Sequence, residues 1–221
     1  MSKVILTKPT LIILYGFPGA GKTFFGRQLA TDIHAAHLQA DRIRYELFED
    51  PDNSKNENSI VSNLTDYMAE EFLNAGNSVI YDSTAMRTAQ RRDLKQKIIK
   101  TKAQTLIVWI QIDVESAFTR VASRDRRKVD DKFTTDMDRT SFDDQLTKMQ
   151  NPQQNENYVV ISGKHNYQMQ RSAVMKKFFD LGLIHGTTAT DNMVKPGMVN
   201  LVPTQSGGRF DDSRRNIAIR G

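Results

Sequence analysis

Gly16-Phe17-Pro18-Gly19-Ala20-Gly21-Lys22-Thr23 follows the apolar run Thr10-Leu11-Ile12-Ile13-Leu14-Tyr15, and this junction decides the fold. Glycines at this spacing let successive backbone N–H groups turn inward around an anion. A helix expected to start at Lys22 would point its positive end at the same anion. In such a loop the lysine reaches the β- and γ-phosphates of a nucleoside triphosphate, and the following hydroxyl ligates magnesium. Gly16, Pro18, Gly19, Ala20, Gly21, Lys22, Thr23 and the adjoining Phe24 are therefore the nucleotide-binding candidates, with Thr23 as the metal ligand and Lys22 also catalytic. The expected cofactors are ATP and Mg²⁺.

Outward from this loop, short apolar runs alternate with helical periodicity, the pattern of a parallel sheet covered on both faces. Strands are expected at Thr10–Tyr15, near Ala36–Ala40, at Ser78–Tyr81, at Gln104–Ile112 and at Tyr158–Ser162. Helices are expected from Lys22 to about His34, from Asp41 to Phe48, and from Thr88 to about Lys100. Another follows Asp113, burying Val114, Phe118 and Val121. Ile60, Leu64, Met68 and Phe72 recur every four residues, so a helix is expected from Ser59 to Ala75, stopped by Gly76. The polar stretch Glu49–Asn58, with Pro51, reads as a loop. Further helices are expected over about Thr135–Met149, presenting Phe142, Leu146 and Met149, and over about Asn166–Leu181. The fold class is α/β: a three-layer P-loop NTPase fold, a five-stranded, mostly parallel sheet with helices on both faces, and a short lid. The domain spans residues 1–185, with the lid at about 120–133. Residues 186–221, with Pro196, Pro203 and little periodicity, are expected to be an irregular tail, extended or disordered.

The chain of 221 residues is long enough to bury a sizeable core, and its 38% hydrophobic and 26% charged content is that of a soluble globule. Having no cysteine, it excludes disulfides, zinc–thiolate sites and a thiol nucleophile. Its longest apolar run, Leu11–Tyr15, cannot span a bilayer, and Met1–Pro9 lacks the apolar core of a secretory signal, so a cytoplasmic location without membrane contact is expected. The four histidines show no metal-pair spacing and read as surface or structural residues. A formal charge of +5 favours anionic partners mildly.

Transfer of a phosphoryl group also needs a group that orients or deprotonates the attacking hydroxyl, and cations for the spreading charge. Asp41 follows the second strand at the carboxyl edge of the sheet, where ligands bind in open α/β folds. Arg44 lies on the same helical face, and the pair suits a hydroxyl acceptor that carries its own phosphate. Asp41 also reads as a plain helix cap. Asp82, closing the third strand, can hold a magnesium-bound water or the acceptor, or cap the next helix. Arg87 is a further substrate-side candidate beside Arg91 and Arg92. Arg120 and Arg124 stand one helical turn apart at the start of a basic lid that continues through Arg126 and Arg127. Arg124 is the lid's catalytic candidate, because a closing arginine stabilises developing charge and excludes water.

Four pieces together resemble a group of P-loop kinases with an AAA-type ATP-binding domain: Gly16–Thr23, Asp41-x-x-Arg44, Val79-Ile80-Tyr81-Asp82-Ser83-Thr84 and Arg120-x-x-x-Arg124. The group includes the phage-type polynucleotide 5′-kinases, the zeta-toxin kinases and small-metabolite kinases, and the resemblance covers about Thr10 to Leu181. It implies that Asp41 activates the acceptor hydroxyl, Arg44 grips a neighbouring phosphate, Arg124 serves as the lid arginine and Asp82 shapes the acceptor site. By analogy, Gly163–His165 would border the base. The chain departs from the bifunctional repair kinases in having no phosphatase domain.

The leading reading is thus an ATP-dependent kinase acting on a hydroxyl of a phosphorylated or polyanionic acceptor, with nucleic acid among the acceptors. A non-kinase NTPase or nucleotide-gated binding protein is the alternative, although no strand ends in two successive acids that would activate water. A nucleic-acid-binding module is a third reading. An aromatic content of 8%, never interleaved with basic residues, gives it no stacking platform, although Arg209, Arg214, Arg215 and Arg220 could touch phosphates.

Overall fold

A computed structural model describes residues 4–83, 87–134 and 136–185. The tail 186–221 expected to be irregular lies outside them, as do Thr84 and Thr135. β1 (Thr10–Tyr15) is buried along its whole length, as a continuous apolar run in the middle of a two-faced sheet must be. It is flanked by β3 (Val79–Asp82) and β4 (Gln104–Gln111), while β2 (Ala36–Gln39) and β5 (Tyr158–Ser162) form the edges. The order is β2-β3-β1-β4-β5, and every pairing is parallel.

The two-residue period of β1 divides the core. Ile12 and Leu14 face α1 (Lys22–Ile33), α5 (Val114–Ala122) and α7 (Tyr167–Asp180), packing with Phe25, Leu29, Ala117, Val174 and Phe178. Leu11, Ile13 and Tyr15 face α3 (Lys55–Asn74) and α4 (Thr88–Lys97), packing with Ala69, Leu73 and Leu94. Among the described residues no helix is long and apolar enough to cross a membrane.

Two helices begin elsewhere than their apolar periodicity predicts. α3 starts at Lys55, not Ser59, because the Ser54 hydroxyl accepts the Glu57 N–H at 3.3 Å and starts the helix inside the polar stretch. α6 runs only over Arg139–Thr147, because Asp138 caps it through the Ser141 N–H at 2.8 Å. Asp113 caps α5 through the Ser116 N–H, and α4 ends at Lys97 in a short 3₁₀ turn over Ile99–Thr101. α2 (Ala40–Leu47) follows β2 without a loop and so projects its first turn over the carboxyl edge of the sheet.

Candidate active site

The loop between β1 and α1 closes over the sheet's carboxyl edge. Gly19 has φ +78°, and a Cβ there would lie 2.2 Å from the Ala117 carbonyl oxygen, so the turn requires glycine. No side chain caps the N-terminus of α1 at Gly21, which leaves its first N–H groups directed toward an anion. Lys22 Nζ donates to the carbonyl oxygens of Gly16 and Phe17, at 2.9 Å each, and so lies along the inside of the loop. Burial lowers the pKa of this ammonium, Asp82 works against that shift, and Arg124 adds to it.

Beside the loop opens a cleft of about 440 Å³. Gly16, Pro18, Lys22, Asp41, Arg44, Asp82 and Arg124 all line it, so seven of the candidates converge. Asp41 is the second residue of α2. The N-cap is Gln39, so the carboxylate is not spent on the helix end and opens to the cleft instead. Its side chain is reached by solvent through the cleft mouth, with protein walls on its other sides. That enclosure raises its pKa above the ordinary carboxylate value, and the like charge of Asp82 raises it further against the opposing pull of Arg44, Arg124 and Lys22. Asp82 closes β3 within the sheet and is not the cap of α4, whose N-cap is Arg87.

The segment expected to form the lid docks on the first two helices. Arg27 pairs with Asp130 at 2.8 Å, and the Phe133 ring lies 6.1 Å from that of Tyr45. Arg124 lies close enough to Asp41 and Asp136 for their charges to act on it, although burial dominates and lowers its pKa. The remaining candidates fall outside the cleft lining. Arg120 donates to the Gly163 carbonyl at 3.0 Å, tying α5 to the loop after β5. Arg127 pairs with Asp125 in solvent, and Arg87 is exposed at the start of α4. Phe24 is exposed on α1 under the Arg27 guanidinium. Arg91 is buried instead, bound to Glu156 at 2.8 Å and to the Gln150 carbonyl.

The structure adds residues that sequence reasoning missed. Arg44 is buried, with Nη1 donating to Glu57 at 3.1 Å and Nη2 to Asn58 at 2.7 Å. Glu57 also accepts the N–H groups of Asp52 and Asn53, so one carboxylate fixes the arginine and the turn before α3 together. The Ser54-x-x-Glu57 spacing was the signal for this start of α3. Ser141 and Gln145, one turn apart on α6, line the same cleft with Asp136 and Met137, and no local pattern marks them. Among the described residues no cluster of three or more His, Asp or Glu side chains could hold a metal. Asp82 lines the cleft, and Thr23, the second residue of α1, lines a second pocket that His37 also lines; both are hard oxygen donors close to the loop in sequence or fold. That suits Mg²⁺, which keeps most of its shell as water and substrate phosphate.

The AAA domain family model matches residues 11–152, more than half of the chain. No curated protein matches the sequence. Solved structures share the fold at low identity. Chaetomium thermophilum Kti12, in complex with ADP-AlF3, aligns with TM-score 0.61 and 15% identity over 80% of this chain and 100% of that one. The Mycobacterium tuberculosis APS kinase CysC, in complex with AMPPNP and APS, gives 0.59 and 14% over 78% and 98%. A sugar kinase from Janibacter sp. HTCC2649, unliganded, gives 0.55 and 12% over 80% and 95%. With the phosphate loop at its carboxyl edge and an all-parallel five-stranded sheet behind it, the chain belongs to the AAA domain family and carries the P-loop kinase fold.

Proposed function

We propose that the protein transfers the γ-phosphoryl group of ATP to a hydroxyl acceptor bound in the cleft beside the phosphate loop. One observation carries this reading: Asp41, free of any capping duty, faces the same cleft as Lys22 and Arg124. No strand ends in the two successive acids that would activate water for a hydrolysing switch, whereas Asp41 offers a single carboxylate base to an acceptor hydroxyl. That two of the similar structures are named as kinases agrees with it.

In this mechanism the backbone of Gly16–Thr23 and the Lys22 ammonium hold the β- and γ-phosphates. Thr23 and Asp82 would hold Mg²⁺ or its waters, and the bound ion would neutralise phosphate charge. Asp41 accepts the proton of the acceptor hydroxyl as that oxygen bonds to the γ-phosphorus. The bond from phosphorus to the β–γ bridging oxygen breaks, and ADP leaves with the electron pair. Arg124, brought over by the lid, offsets charge on the equatorial oxygens. Asn53, Asn58, Ser141 and Gln145 supply neutral polar groups to the acceptor wall. A phosphorylated acceptor, a nucleic-acid 5′ end included, would be met by Arg44, which Glu57 already holds in place.

The test is label transfer from γ-labelled ATP with Mg²⁺ to 5′-hydroxyl oligonucleotides, nucleosides, phosphorylated sugars, neutral sugars and aminoglycosides. Label on one acceptor class, reduced about 10²- to 10⁴-fold by Asp41→Asn, is the expected result. Label released only as free phosphate, equally by both proteins, would refute the proposal and leave a nucleotide-driven switch.

A further inference from the structure

Asp82 has a side chain only 6% exposed, and a buried carboxylate requires a partner. Among the described residues its hydrogen-bond partner is His37, whose Nε2 lies 3.3 Å from Oδ2. With a proton on Nε2, the imidazole donates and the carboxylate accepts. The sheet register explains the meeting. His37 of β2 stands opposite Ile80 of β3, and Asp82 lies two residues further along, on the same face of the sheet.

The ring is held from a third side by α1. Gly26 lies against it, and a Cβ at that position would sit 3.1 Å from Nε2 and 2.7 Å from Leu14 Cδ1. A strand, a helix and a second strand therefore fix the imidazole, and the imidazole fixes one oxygen of Asp82. Asp82 also lines the cleft, where its charge acts on Lys22 and Asp41.

We infer that His37 is a positioning residue for the magnesium–nucleotide complex, holding Asp82 so that its carboxylate meets the hydrated metal beside Thr23. This inference rests on the proposed function. A residue that merely fills the core would support stability and leave magnesium dependence untouched. Outer-shell partners of this kind are typically worth about 10- to 100-fold in metal affinity.

The experiment is calorimetric titration of the full chain with AMPPNP, once with Mg²⁺ and once with EDTA. Wild type is expected to bind more tightly with Mg²⁺. His37→Phe, which keeps the volume and removes the donor, should lose about tenfold or more of that gain with its EDTA affinity within about twofold of wild type. His37→Asn should recover part of it. His37→Leu gives the same readout if the phenylalanine variant does not fold. A folded donor-less variant that keeps the full magnesium gain overturns the inference and leaves the kinase proposal standing. A wild type that binds AMPPNP no better with Mg²⁺ also overturns the inference, and label transfer decides the kinase proposal separately.

Discussion

At the scale of single residues, the proposed role of Asp41 as the acceptor base makes a pH-dependent prediction from its environment. Enclosure by the cleft walls and the neighbouring Asp82 raise its pKa, so the ionised form is lost at higher pH than for an ordinary carboxylate. The acid limb of kcat/KM should therefore lie above the usual carboxylate range. Asp82→Asn removes the like charge and should move that limb to lower pH in whatever activity remains. The same shift has a sign for stability. A carboxylate whose folded pKa exceeds its unfolded value destabilises the fold above the folded pKa, and that cost vanishes as pH falls through it toward the unfolded value. Asp41→Asn should thus melt above wild type at neutral pH, with the difference closing on acidification. Thermal melts across that window check it, and a variant less stable at neutral pH would contradict the assigned environment. Active sites commonly retain such a cost.

At the scale of elements, the turn before α3 is a unit built around Glu57. Its carboxylate binds the Arg44 guanidinium and the N–H groups of Asp52 and Asn53, joining α2 to α3 along the cleft. Both members of the pair are nearly inaccessible, with side chains 7% and 9% exposed. Removing one leaves a buried charge without compensation, at a cost of about 3–5 kcal/mol. Glu57→Ala should accordingly lower the melting temperature by about 10 °C. It should also raise KM for the acceptor while leaving the nucleotide Kd near wild type, because Glu57 holds the proposed acceptor-side Arg44 and not the phosphate loop. Equal loss of both affinities would mean that the turn supports the whole cleft.

The whole molecule couples ligand binding to stability, because the phosphate site exists only when β1, α1 and the flanking strands are assembled. Magnesium–ATP at about 100 times its Kd should stabilise the chain by about 2.7 kcal/mol, raising the midpoint by about 5–10 °C. Lys22→Ala should abolish most of that shift, and an unchanged shift in that variant would place the nucleotide elsewhere. Sequence by itself determined the strand–loop–helix junction and the element order, since an apolar run, spaced glycines and helical periodicity are local properties that the chain shows without folding. Thr10–Tyr15 and Tyr158–Ser162 were legible to the residue for that reason. Helix starts at Lys55 and Arg139 were not, because the capping bonds at Ser54 and Asp138 outweigh apolar periodicity there. The arginines divide in the same way. Their number is written in the sequence, but only packing sends Arg124 to the cleft, Arg91 to Glu156 and Arg127 to solvent. Tertiary structure alone brought His37 to Asp82 and Ser141 to the cleft, since strand register and helix placement decide contacts between residues far apart in the chain.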